Sequence, residues 1–209
     1  MILGYFGRRS IYEVLRRLAL NVAMFERGDV TIVDAGYRER GDVVLECSDF
    51  SCIAVKLFSS LPGIVGGGRL GLDPGAVRNG VVYALGGEPV LHAVLGAGAV
   101  REILARAGCV DVHVGASQYA SIAEALLLSR CATLHVVDEP AAARMRGFLR
   151  ARYPELKEDE IDALSFTYHD GIVIERRAAV PGGSARRPPR PRAAETLIRM
   201  LGVPEYVYR

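Results

Sequence analysis

Arg69-Leu-Gly-Leu-Asp-Pro-Gly-Ala-Val-Arg-Asn-Gly80, followed by Val-Val-Tyr-Ala-Leu85, is the stretch that decides how this chain is read. It reads as a short apolar strand that stops on Asp73, a tight Pro74-Gly75 turn and a second strand antiparallel to the first. Proline presets φ at the second position of a turn, and glycine relieves the steric limit after it. Asp73 is thereby left at the end of a strand. A carboxylate held there costs stability unless a divalent metal, a phosphate-bound metal or a cation uses it.

Outward from that stretch, strands are predicted over 69–73, 80–85 and 89–95, with Gly86-Gly87 as a hairpin turn. A helix over 100–107 ends at Gly108, a strand follows over 110–115, and a second helix covers 121–129. A fifth strand, 133–137, stops on Asp138-Glu139, and Pro140 opens a helix that runs to about Tyr153. A last helix spans 159–168. Three meandering strands followed by two crossover units give an α/β fold with a mixed five-stranded sheet and helices on both faces.

Residues 1–66 read as a small N-terminal α/β unit. A strand covers 2–6, and Ser10-Ile-Tyr-Glu13 forms a capping box that opens a helix to about Glu26. Strands follow over 29–35, 42–47 and 52–58, and Gly63–Gly68 forms a joint. Asp34, Glu46 and Asp49 read as loop and strand-end charges. The second unit spans 67–175. Residues 176–209 form a third part, because 178–194 is too rich in Pro, Gly and Arg to build a core, and 194–200 forms a short helix.

Half of the 209 residues are apolar, which excludes a disordered chain. No apolar run reaches the roughly 18–20 residues that span a bilayer, and the N-terminus lacks the pattern of a signal peptide, so a cytoplasmic protein that avoids membranes is expected. Lys56 and Lys157 are the only lysines, Gln118 the only Gln, and Asn21 and Asn79 the only Asn. Few thermolabile amides suit a thermophile, and a GC-rich genome gives a similar bias. Cys47, Cys52, Cys109 and Cys131 contain no Cys-x-x-Cys pair, which argues against zinc. They are read as buried thiols, or as a Cys47–Cys52 disulfide in a hyperthermophile. The net charge of +2 is unevenly spread: zero over 1–66, −3 over 67–171 and +5 over 172–209. An acidic centre beside a basic tail suits a protein that gathers metal in one place and polyanion in another.

The residues from about 69 to 172 resemble the ribonuclease-H-like fold, and within it the RuvC-type Holliday-junction resolvases and the related YqgF family. Gly71-Leu-Asp-Pro-Gly75 is similar to the first-strand motif whose Asp binds metal. Val137-Asp-Glu-Pro140 resembles the YqgF segment that carries the second acidic residue. Asp159-Glu-Ile-Asp-Ala-Leu164 resembles the last-helix motif of RuvC-type proteins. Two departures stand out. Gly115-Ala-Ser117 occupies the place where RuvC-type enzymes carry a strand-end Glu, and Pro140 replaces the YqgF Arg. The resemblance implies an endonuclease acting on structured DNA or RNA with Mg²⁺ or Mn²⁺. It also implies a homodimer, because a four-way junction has two symmetric scissile sites.

Phosphodiester hydrolysis needs an activated water and a neutralised leaving oxyanion, which two Mg²⁺ ions about 3.5–4 Å apart supply. Carboxylates from distant parts of the chain must then meet. The candidates are Asp73, Glu139, Asp162 and Asp159, with His169 placed two helical turns beyond Asp162 to orient water or contact phosphate. Arg78, Asn79 and the cluster Arg186, Arg187, Arg190 and Arg192 are candidate nucleic-acid contacts. Each residue also has a plainer role: Asx-turn for Asp73, helix-dipole charge for Asp159, helix cap for Asp138, solvated or core-edge imidazole for His169, turn anchors for Arg78 and Asn79, and solubility for the arginine arm. Two other readings fit the sequence. One is a nucleic-acid-binding protein of the same fold without cleavage. The other is an actin- or sugar-kinase-like phosphate binder, which also begins on Gly-x-Asp-x-Gly; no second Asp-x-Gly loop accompanies it here.

Overall fold

Apolar alternation builds two sheets, seen in a computed structural model that describes residues 1–107, 110–117 and 133–175. The first sheet has four parallel strands in the order β2-β1-β3-β4: β1 (Leu3–Phe6), β2 (Val22–Met24), β3 (Val30–Asp34) and β4 (Val43–Leu45). Between β1 and β2 lies α1 (Arg9–Leu15). The helix expected to Glu26 stops there because the chain beyond it has better partners. The Leu18 carbonyl accepts the His92 N–H at 2.8 Å, Ala19 bridges to Leu91, and Val22 pairs in parallel with Leu3. Ser10 does not form the expected capping box. The helix begins two residues earlier, after Arg8 rather than Ser10, and the Arg8 guanidinium holds both oxygens of Asp34 at 2.5 and 3.0 Å.

The strand expected over 52–58 is instead the start of α2 (Phe50–Val65). Asp49 Oδ1 accepts the Cys52 N–H at 2.9 Å, and Ile53, Ala54, Leu57, Phe58 and Leu61 are buried along one helical stripe. A short apolar run carries both periods, and the cap decides between them. Gly66, Gly67 and Gly68 all have positive φ, 70°, 72° and 91°, so the joint is a real chain turn. It does not divide the apolar interior: Leu57, Phe58 and Leu61 share one core with Leu70 and Leu72.

The second sheet has six strands, not five, in the order β10-β9-β8-β5-β6-β7. They are β5 (Arg69–Asp73), β6 (Asn79–Leu85), β7 (Glu88–Leu95), β8 (Asp111–Gly115), β9 (Thr133–Val137) and β10 (Ile172–Glu175). The pairs β5–β8 and β8–β9 are parallel; β5–β6, β6–β7 and β9–β10 are antiparallel. The sixth strand covers the β9 edge after Gly171 turns the chain at φ 54°. Its four residues border the Pro/Gly/Arg-rich segment, which hid them in the sequence. The helices are α3 (Ala97–Arg106), α4 (Glu139–Ala142), α5 (Arg146–Arg152) and α6 (Glu158–Phe166). The helix expected from Pro140 to Tyr153 is broken by a 3₁₀ turn over Ala143–Met145, and Gly147, a weak helix former, follows the break.

Helices cover both faces of this sheet. Leu70, Leu72, Val81, Tyr83, Val112 and Val114 face α2 and α3 in the main core. On the opposite face, Val82 and Ala84 pack with Leu149, Ile161, Ala163 and Leu164 of α5 and α6. No helix among the described residues is long and apolar enough to cross a membrane. The helix expected over 121–129, the cap at Gly108, Cys109, Cys131, the arm with Arg186, Arg187, Arg190 and Arg192, and the helix over 194–200 lie outside the described residues.

Candidate functional site

Glycines set the geometry of the site. In the β5–β6 pair, Asp73 lies opposite Gly80, and Gly71 sits two residues before Asp73 on the same face. A β-carbon at Gly80 would lie 1.9 Å from the Asp159 carbonyl oxygen, and one at Gly71 would lie 2.0 Å from the Ala163 carbonyl oxygen. The backbone of α6 therefore rests directly on the sheet. This close approach brings Asp159 and Asp162 beside Asp73.

Glu139 arrives from another direction. It is the first residue of α4, directly after β9. A β-carbon on Gly115, the last residue of β8, would lie 2.5 Å from Glu139 Oε1. The Ser117 N–H donates to the same oxygen at 2.9 Å. Gly115 thus leaves open the space that a side chain at the end of β8 would fill, and the Glu139 carboxylate occupies it.

Electrostatics agree with this convergence. Burial pushes the Asp73 carboxyl up to about 7, and the charges of Asp162, Asp159 and Glu139 add to the rise, while Arg146 opposes it. Burial also raises Asp162, opposed chiefly by Arg146. Arg146, from the start of α5, forms an ion pair with Asp162. The paired atoms, Arg146 Nε and Asp162 Oδ1, are buried and lack hydrogen-bond geometry. Arg146 escaped the sequence reading because an unbroken helix from Pro140 gave no reason to single it out.

The remaining candidates divide. Asp159 lies in the first turn of α6, as the dipole role required, and also pairs with the exposed Arg78 at 3.5 Å. Asn79 is buried, and its side-chain amide donates to the Leu95 carbonyl at 3.1 Å, an anchoring role in the sheet. Asp138 stands at the N-cap of α4 but makes no side-chain cap. His169 is not on the helical face of Asp162, because α6 ends at Phe166. Its carbonyl accepts from His113 Nδ1 at 2.9 Å. His113 and His135, in register on β8 and β9, stack with ring centroids 4.1 Å apart, and His135 Nδ1 donates to the Asp170 carbonyl at 2.8 Å. Burial and the neighbouring His135 push His113 down to about 4.

The carboxylates converge on one region without closing into a cage. No three of them bring an oxygen within 4.8 Å of one another; among the described residues only Cys47, Asp49 and Cys52 form such a group. Like charges repel, and Asp162, Asp159 and Glu139 are each engaged by a donor of the chain: Arg146, Arg78 and the Ser117 N–H. Comparison with protein-family models, with curated proteins and with solved structures finds no match.

Proposed function

We propose that the chain is a metal-dependent nuclease of ribonuclease-H-like fold that hydrolyses phosphodiesters in structured DNA or RNA. The observation that carries this reading is the meeting of carboxylates from three separated segments, β5, α4 and α6, at the end of the central strand. The strand order supports it, with an antiparallel meander on one side of β5 and parallel strands on the other. So does Glu139, which fills the space over Gly115 and thereby answers the missing strand-end Glu.

The donor set fits Mg²⁺ or Mn²⁺ in being all carboxylate, and Arg146 now supplies the positive charge beside buried Asp162 Oδ1 that an ion would replace. Asp73, Glu139, Asp159 and Asp162 would hold the ions, whose chemistry is to activate water and neutralise the leaving oxyanion. The chain's own residues do the rest. The glycine contacts fix α6 against β5 and β6, and Ser117 orients Glu139. Arg78 is exposed at the rim, where it can meet a phosphate once released from Asp159.

One observation favours a second reading, nucleic-acid binding without cleavage: the carboxylate oxygens stay apart with a guanidinium paired to one of them. A panel of branched and duplex DNA, RNA and hybrid substrates, incubated with Mg²⁺ or Mn²⁺, separates the two. The nuclease reading expects cleavage that falls at least about 100-fold in Asp73→Asn. Salt-sensitive binding with no metal-dependent cutting of any substrate supports the second reading.

A further inference from the structure

We propose that Cys47, Asp49 and Cys52 form a second metal site, for a thiophilic divalent ion such as Zn²⁺, which opens when the bond between the two cysteines is reduced. This proposal is independent of the carboxylate site. The two cysteines are joined as a disulfide, with Cα atoms 6.3 Å apart, which ties the chain after β4 to the first turn of α2. Asp49 lies between them. Ligand atoms of all three residues fall within 4.8 Å of one another. Asp49 caps α2 through Oδ1; a carboxylate has a second oxygen to offer.

Three further features suit a metal rather than a bridge alone. Cys52 sits in the first turn of a 16-residue helix, so one sulfur ligand would be held on a regular, well-packed element. Both cysteines line a cavity of about 470 Å³ together with Glu46, Lys56 and Arg106. Three protein ligands leave a tetrahedral ion one open position, and here the cavity would receive it. Two thiolates and a carboxylate carry three negative charges that a divalent cation would offset, and the cavity wall adds no net charge, with Lys56 and Arg106 against Glu46 and Glu102. Thiolate ligands select Zn²⁺ over Mg²⁺, so this site and the carboxylate cluster would not compete for one ion.

The chemistry balances in two steps. A dithiol reductant gives two electrons and two protons to the S–S bond and leaves as its own disulfide, producing two protein thiols. The metal then displaces both thiol protons, forming two metal–sulfur bonds. Either state closes the same loop, so α2 stays pinned in oxidising and in reducing surroundings.

The test uses the full chain carrying Cys109→Ser and Cys131→Ser, reduced with a phosphine and freed of it, with Co²⁺ as the probe. The expected result is a thiolate-to-cobalt charge-transfer band saturating at one ion per chain. Zn²⁺ should displace it, the oxidised chain should lack it, and Cys52→Ser should abolish it. Asp49→Asn should keep the band and weaken affinity about 10-fold or more. A reduced, folded chain without the band overturns the proposal, as does a band that survives Cys47→Ser. Should the serine variants fail to fold, alkylation of the reduced parent chain supplies the answer. Zn²⁺ protection of Cys47 and Cys52 supports the site, and equal labelling with and without Zn²⁺ overturns it.

Discussion

The two faces of β5 and β8, at the centre of the six-stranded sheet, are built on opposite rules. Toward α2 and α3, β5 presents Leu70 and Leu72, and its neighbours present Val81, Tyr83, Val112 and Val114; this face fills space with apolar volume. Toward α6, the same strand presents Arg69, Gly71 and Asp73, and β8 presents His113 and Gly115; this face removes volume and adds charge. One face is arranged for stability. The other accepts buried polar groups in return for a helix lying on bare backbone and carboxylates brought together. A strand with period 2 can meet both demands in five residues.

The difference can be broken from either side. The largest effect is expected on the apolar face. Leu70→Ala should cost about 3 kcal/mol in urea unfolding by opening a cavity, with little change in metal affinity. On the other face, Gly80→Ala should cost about 2 kcal/mol by overpacking, because its β-carbon would meet the Asp159 backbone. Unlike Leu70→Ala, it should also weaken metal binding, since α6 must lift. Equal effects of the two variants on metal affinity would remove the distinction between the faces.

Asp73→Asn should have the opposite sign. A carboxyl pushed up to about 7 from 3.8 favours the folded state below pH 4, and that contribution is lost as pH rises through 7. With solvent screening of this half-buried group, the metal-free variant should be more stable than the parent by about 2 kcal/mol at pH 8 and by no more than about 0.5 kcal/mol at pH 4. Thermal unfolding at the two pH values checks this. The smallest effect belongs to Arg78→Ala, whose exposed pair with Asp159 should change stability by less than about 0.5 kcal/mol.

How much was legible follows from the same physics. The β5 strand, the β6–β7 hairpin with Gly86 and Gly87 at positive φ, β9 and α6 were readable because local pattern and turn chemistry agree there. Asp73, Glu139, Asp159 and Asp162 were grouped in the sequence through the motifs that resemble RuvC-type and YqgF proteins, and their charges do act on one another at Asp73. The α2 stretch misled because Cys52–Phe58 carries both periodicities, and the Asp49 cap decided between them. The end of α1 depends on an edge pairing with residue 91, a contact no local window contains. Arg146 owes its place to a helix break. Gly71, Gly80 and Gly115 look like turn and motif residues in the sequence; their work as landing places for α6 and Glu139 appears only when strands and helices are set together.

The measurement closest to the central claim is calorimetric titration of Mg²⁺ and Mn²⁺ into the parent chain and into Asp73→Asn. The account predicts saturable binding to the parent, weakened at least about 10-fold in the variant. Equal binding by the two proteins, or no binding by the parent at millimolar metal, would contradict it.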